Sequence, residues 1–60
     1  MITVNGKKKE LEKPMTVTEY LNENSYVPAT VAIELNEEIL ERELYGKTIL
    51  KEGDIMEIVQ

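Results

Sequence analysis

Leu50-Lys51-Glu52-Gly53-Asp54-Ile55-Met56-Glu57-Ile58-Val59-Gln60 decides the fold: a charged turn runs directly into a strand of β-branched and apolar residues. Side chains of a strand alternate between its faces, so Met56 and Ile58 share one side while Ile55, Glu57 and Val59 share the other. The first set is wholly apolar and the second is mixed. Sheet edges are usually blunted by charge or proline, whereas this segment is apolar at nearly every position. It reads as the central strand, with one core face and one accessible face.

Its neighbours are found by working outward. At the far end of the chain, Ile2-Thr3-Val4 alternates and runs into Asn5-Gly6, the dipeptide that most readily supplies the two positive-φ residues of a type I′ hairpin. The return strand, Lys7 through Lys13, holds one clear apolar residue, Leu11, as an edge strand protected by charge does, and Pro14 stops it. The lysine run could be taken for an anion site, but Glu10 and Glu12 offset it within the same segment. A helix start follows. Thr16 can cap it, with Glu19 three residues on reaching back, and Met15 and Tyr20 suit a hydrophobic staple across the cap. Val17, Tyr20 and Leu21 share one helical face, and Asn22-Glu23-Asn24-Ser25 ends the pattern within two turns. So short a helix gains its stability from packing on the sheet.

Tyr26-Val27-Pro28 reads as a connection. Thr30 through Leu35 is then a strand with Val31, Ile33 and Leu35 on the core face; Asn36-Glu37 turns the chain, and Glu38-Ile39-Leu40 is a short strand. Glu41 through Thr48 is irregular or a single turn, broken at Gly46, after which Ile49 and Leu50 return to the core. The order predicts an α+β fold: a β-grasp (ubiquitin-like) plan in which a mixed sheet of four to five strands carries one short helix on one face, the first and last strands lying parallel at the centre. Thr3, Ala32, Glu34, Ile55, Glu57 and Val59 are left on the open face.

Residues 1–60 form a single domain, near the lower size for independent folding, where roughly 60% of the unfolded chain's surface is buried. Without cysteine, neither a disulfide framework nor a thiolate metal site supports the core, which fits a reducing cytoplasm. No leader pattern opens the chain, and no apolar run approaches the roughly 20 residues that span a bilayer, so a soluble protein is expected. The net charge of −5 argues against nucleic acid and anionic membranes as partners and weakly favours a basic protein, though a charge of this size also simply keeps a small domain in solution.

The chemistry on offer is sparse. Histidine, cysteine and tryptophan are absent and Ser25 is the only serine, which removes the usual general base, the thiol nucleophile and any Ser-His pair. Glu34 and Glu57 could be neighbours on the open face, but nothing in the sequence suggests a cleft that would raise either pKa, and Glu37 and Glu38, adjacent at the turn, diverge. No spacing resembles a calcium loop, and Gly6, Gly46 and Gly53 are isolated rather than a phosphate-cradling run. No catalytic residue, metal ligand or cofactor site is expected. A binding or carrier role remains.

Three stretches carry a family resemblance: Ile2-Thr3-Val4-Asn5-Gly6; Val31-Ala32-Ile33-Glu34-Leu35-Asn36 with Glu38; and Leu50-Lys51-Glu52-Gly53-Asp54 leading to Glu57-Ile58-Val59. With Arg42 and Tyr45 in the loop, they resemble the ThiS family, the sulfur carriers of thiamine biosynthesis. The related molybdopterin sulfur carriers have a similar fold and ending and are the nearest alternative; a β-grasp interaction module without covalent chemistry is another. A small RNA-associated β-grasp domain fits poorly with the acidity and with only three tyrosines for base stacking.

The resemblance implies a mechanism. A C-terminal glycine carboxylate is activated with ATP by an adenylating enzyme of the ubiquitin-activating type and converted to a thiocarboxylate, whose sulfur passes to the thiazole forming on a synthase. Only glycine lacks a side chain to obstruct a tail threading into another protein's active site. That family closes with Gly-Gly a few residues beyond the last strand, whereas the sequence in hand stops at Gln60, so no modified glycine is carried over and the 60 residues are expected to fold and dock without accepting sulfur. The expected partner-binding residues are Ala32, Glu34, Ile55, Glu57, Val59 and Gln60, apolar contacts with two carboxylates that steer toward basic groups. The alternative is that they are ordinary exposed strand residues.

Overall fold

A computed structural model describes residues 1–60. The elements run β1 (Ile2–Val4), β2 (Lys7–Lys9), α1 (Val17–Glu23), a 3₁₀ turn (Pro28–Thr30), β3 (Ala32–Leu35), β4 (Glu38–Leu40), a second 3₁₀ turn (Arg42–Leu44) and β5 (Ile55–Val59). They build a five-stranded sheet in the order β2-β1-β5-β3-β4, so the closing strand is central, as its composition requires. β5 runs parallel to β1 (Thr3 beside Ile55) and antiparallel to β3 (Ala32 beside Val59, Glu34 beside Glu57). One helix lies on one face, which makes this the β-grasp arrangement.

The alternation in β5 holds residue by residue: Met56 and Ile58 are buried, and Ile55, Glu57 and Val59 are exposed. The core under the helix joins Ile2 and Val4 of β1, Val17, Tyr20 and Leu21 of α1, Val31, Ile33, Met56 and Ile58, and it is closed by Met15, Tyr45 and Leu50. Both halves of the capping box form: the Glu19 N–H donates to Thr16 Oγ1 (3.1 Å), and the Thr16 N–H donates to Glu19 Oε1 (2.8 Å). Met15 and Tyr20, flanking that cap, are both buried. The helix ends in a Schellman motif, with Tyr26 N–H donating to Leu21 O and Ser25 N–H to Asn22 O while Ser25 sits at φ +67°.

Three details differ from expectation, each for a local reason. β2 stops at Lys9, not Lys13, because β1 is only three residues long and its first residue, Ile2, already pairs with Lys9. The chain beyond is free to turn toward the helix, with Leu11 half-buried against the core. β3 begins at Ala32 rather than Thr30: Pro28 opens a 3₁₀ turn, and both the Thr30 N–H and its hydroxyl donate to Val27 O. Val31 is still buried, so the inward phase of the strand is kept. Ile49 is 56% exposed, since consecutive residues of an extended segment face opposite ways and Leu50 takes the inward position, its N–H donating to Met15 O. The turn between β3 and β4 consists of Asn36 and Glu37, at φ +52° and +71°, and Glu38 opens β4.

Candidate functional site: the open face of the sheet

The face away from α1 is built by strand register alone. Lys8, Thr3 and Ile55 form one cross-strand row, Ile39, Glu34 and Glu57 a second, and Ala32 and Val59 a third. The structure thus brings Ala32, Glu34, Glu57 and Val59 together as directly opposed pairs. Ile55 lies at the other end of the strand beside Thr3, and Gln60 is exposed just past β5. Ile39, 79% exposed, belongs to this face and was not among the expected residues. Period-two alternation from the inward Leu40 is the signal that finds it.

The face is apolar around an acidic centre. Ile39, Ile55 (51% exposed) and Val59 (59% exposed) surround Glu34 and Glu57, which sit opposite one another on adjacent strands. Like charges directly opposed in a sheet destabilise it, and neither carboxylate takes part in an ion pair. A cation placed between them would therefore relieve a repulsion as well as gain an attraction.

Two asparagines hold the central strand at its ends. β1 is too short to satisfy the Ile58 N–H, so the Asn5 side chain replaces the missing residue: Ile58 N–H donates to Asn5 Oδ1 (2.7 Å), and Asn5 Nδ2 donates to Ile58 O (3.3 Å). At the other end the Ile55 N–H donates to Asn36 Oδ1 (2.9 Å), while Asn36 Nδ2 donates to Asp54 Oδ1 (3.0 Å). Asp54, the one buried charged residue at 5% exposure, also accepts from the Lys51 N–H (2.8 Å) and thereby fixes the turn into β5. Sequence reading assigned Asn5 and Asn36 to turns; their side-chain bonds depend on strand lengths that only the assembled sheet defines.

Arg42 and Tyr45 converge on one atom. Arg42 Nη2 (3.0 Å) and Tyr45 Oη (3.1 Å) both donate to Val31 O, pinning the segment after β4 beside the start of β3 and so beside the end of β5. The largest concavity, about 380 Å³, lies elsewhere, between residues 9–13 and α1. Its Lys9, Lys13, Glu10, Glu12 and Glu23 mix both signs, with Lys13 paired to Glu23 at 3.9 Å, so it selects no charge. Tyr20 on its wall has its phenol pushed up by burial and by neighbouring Tyr26. No three His, Cys, Asp or Glu side chains converge as metal ligands, and no helix is long and apolar enough to cross a membrane.

Fold and face together define a ubiquitin-like β-grasp domain whose chemically featured surface is a flat sheet rather than a cleft. The family model described as the ThiS family matches residues 2–60, and the chain belongs to that family. Among solved structures, the crystal structure of the thiamine biosynthesis protein ThiS from Geobacter metallireducens is 38% identical, with a TM-score of 0.85 over 97% of this chain and 88% of that one. The solution structure of a thiamine biosynthesis protein from the same organism is also 38% identical, with a TM-score of 0.80 over 97% of this chain and 78% of that one. No curated protein matches the chain.

Proposed function

We propose that this protein is a sulfur carrier of thiamine biosynthesis that is acted upon by partner enzymes and is not itself an enzyme. The observation that carries the reading is the family match across residues 2–60, which takes in every element of the sheet. In this reading an adenylating enzyme of the ubiquitin-activating type and a thiazole synthase both grip the folded domain. The chemistry, adenylation and then thiocarboxylation, falls on the C-terminal glycine when a Gly-Gly tail is present, and the domain of residues 1–60 serves as the handle that delivers it in the cytoplasm. The open face is the docking surface. Its exposed Ala32, Ile39, Ile55 and Val59 supply contact area, the Glu34–Glu57 pair selects a basic side chain, and Gln60 lies at the rim.

The test separates the two parts of the reading. The carrier chemistry is checked by incubating the native gene product with ATP, a sulfur donor and the adenylating enzyme of its own source. Mass spectrometry should then find one C-terminal oxygen replaced by sulfur, and an unmodified terminus under conditions that load a known carrier refutes it. The docking surface is checked by Glu57→Lys, which should weaken binding to the adenylating enzyme by about tenfold or more, as loss of a partly desolvated charge contact does. Unchanged affinity in a folded variant moves the interface elsewhere.

A further inference from the structure

The sheet has two open edges, and they are not alike. β2 is blunted by Lys7, Lys8 and Lys9, the usual protection against strand addition. β4 carries no lysine: its three residues hold one charge, Glu38, and its centre is the exposed Ile39. The Asn36 N–H donates to Ile55 O, so alternate residues of β3 bond toward β5, and Glu34 is among them. The Glu34–Ile39 pair is therefore a non-bonded pair of the β3–β4 ladder, and both the N–H and the C=O of Ile39 point away from the sheet. Glu41 continues the line at φ −64°, ψ 141°, still extended, and its N–H faces the same way.

We propose that the β4 edge accepts an added strand from a partner protein, an extended segment with basic side chains flanking apolar ones. The charge pattern selects this occupant: residues 34–43 hold Glu34, Glu37, Glu38, Glu41 and Glu43 against Arg42 alone. In antiparallel addition, the partner residue bonded to Ile39 lies over the open face beside its side chain. The next partner residues on either side oppose Glu38 and Leu40, and the one beyond Leu40 opposes Glu41. Basic residues facing Glu38 and Glu41, with apolar ones facing Ile39 and Leu40, complete the match. A second copy pairing symmetrically about Ile39 would set Glu37 against Glu41 of its partner, like against like, so the same pattern disfavours a dimer through this edge. The surface meets the open face at Ile39 and its row neighbour Glu34, and the proposal does not depend on the carrier reading.

The test uses the blocked peptide Thr-Lys-Val-Ile-Lys-Thr, written from that register, with Thr-Glu-Val-Ile-Glu-Thr as its control. The isotope-labelled chain is titrated with each and followed by amide NMR shifts. A 60-residue chain is within reach of chemical synthesis, so a second version carries a methyl group on the Ile39 backbone nitrogen, which removes the outward N–H and leaves every side chain in place. The expected result is a saturable shift at Glu38, Leu40 and Glu41 with the basic peptide at low-millimolar Kd, about fivefold or more weaker for the acidic control and for the methylated chain. Any of three results overturns the proposal: no saturable shift up to about 5 mM peptide, shifts confined to Ile55, Glu57 and Val59 and insensitive to the methyl group, or shifts at β2 and β4 that grow with protein concentration without peptide.

Discussion

Replacing Asn5 with glycine tests whether a turn residue also holds the central strand. Glycine accepts the φ of +50° found there, so the hairpin survives and the loss falls on the side-chain bonds to Ile58. The short one, 2.7 Å from the Ile58 N–H, is worth about 1–1.5 kcal/mol, because removing it strands a donor on a buried residue; the 3.3 Å bond adds about 0.5 kcal/mol. The extra backbone freedom of glycine in the unfolded chain and its relief at positive φ act in opposite directions and are of similar size. A loss of about 2 kcal/mol results. Against the roughly 3–9 kcal/mol expected of a domain this size, that is a large share. It corresponds to a fall in Tm of about 8–16 °C, or in the urea midpoint of about 2 M at a slope of about 1 kcal/mol/M. Circular dichroism through urea and heat measures it, and hydrogen exchange localises it, since the Ile58 amide should lose protection more than the Ile33 amide does. A change under about 0.5 kcal/mol, or unaltered Ile58 protection, would refute the clamp and leave Asn5 a turn former only.

Other positions yield expectations of either sign. Ser25 at φ +67° and Glu37 at φ +71° occupy backbone that suits glycine, so Ser25→Gly and Glu37→Gly should each raise stability by about 0.5–1 kcal/mol in urea titrations. The Tyr20 pKa is raised in the folded state, so the neutral phenol is the form that folding favours. Its contribution is fully present below pH 10 and is lost as pH rises above the ordinary value of 10.0; Tyr20→Phe should remove that part of the alkaline decline, seen as a flatter stability difference between pH 9.5 and 11. Glu57→Thr should stabilise the free domain by about 0.5 kcal/mol in the same titrations while weakening partner binding, because it removes the charge opposite Glu34 and favours the strand.

Much of the sheet was legible because its rules are local. Asn5-Gly6 specifies a hairpin by conformation alone, Thr16 and Glu19 specify a helix start by reach alone, and alternation in 55–59 fixes which residues face the core. The misjudged positions depended on partners. Whether residues 10–13 of the return segment stay in a strand is set by the length of β1, not by their own lysine and glutamates, and whether Ile49 or Leu50 faces inward is set by the bridge from Ile49 to Thr16. Pro28 is different: a proline suited to the first position of a helical turn is a local signal for the 3₁₀ turn that delays β3. The candidate face was legible as a set of outward residues in β3 and β5, and Ile39 follows from the same alternation carried through 38–40, a strand that the sequence also marks.

In the proposed reading, the open face bears on how such a domain reconciles folding with recognition. A sheet optimised only for stability would place threonine or an opposite charge across from Glu34; this one places Glu57 there, between exposed Ile55 and Val59, and leaves both carboxylates without a cation. The domain tolerates the repulsion because the strand carrying it is held independently, by Asn5 at one end, by Asn36 with Asp54 at the other, and by Met56 and Ile58 in the core. Stability and charge pattern are thus divided between the two faces of β5. A substitution on the inner face should alter folding first and binding only as a consequence, while Glu57→Thr should move the two in opposite directions. That opposition is the signature of a surface kept for a partner rather than for the fold.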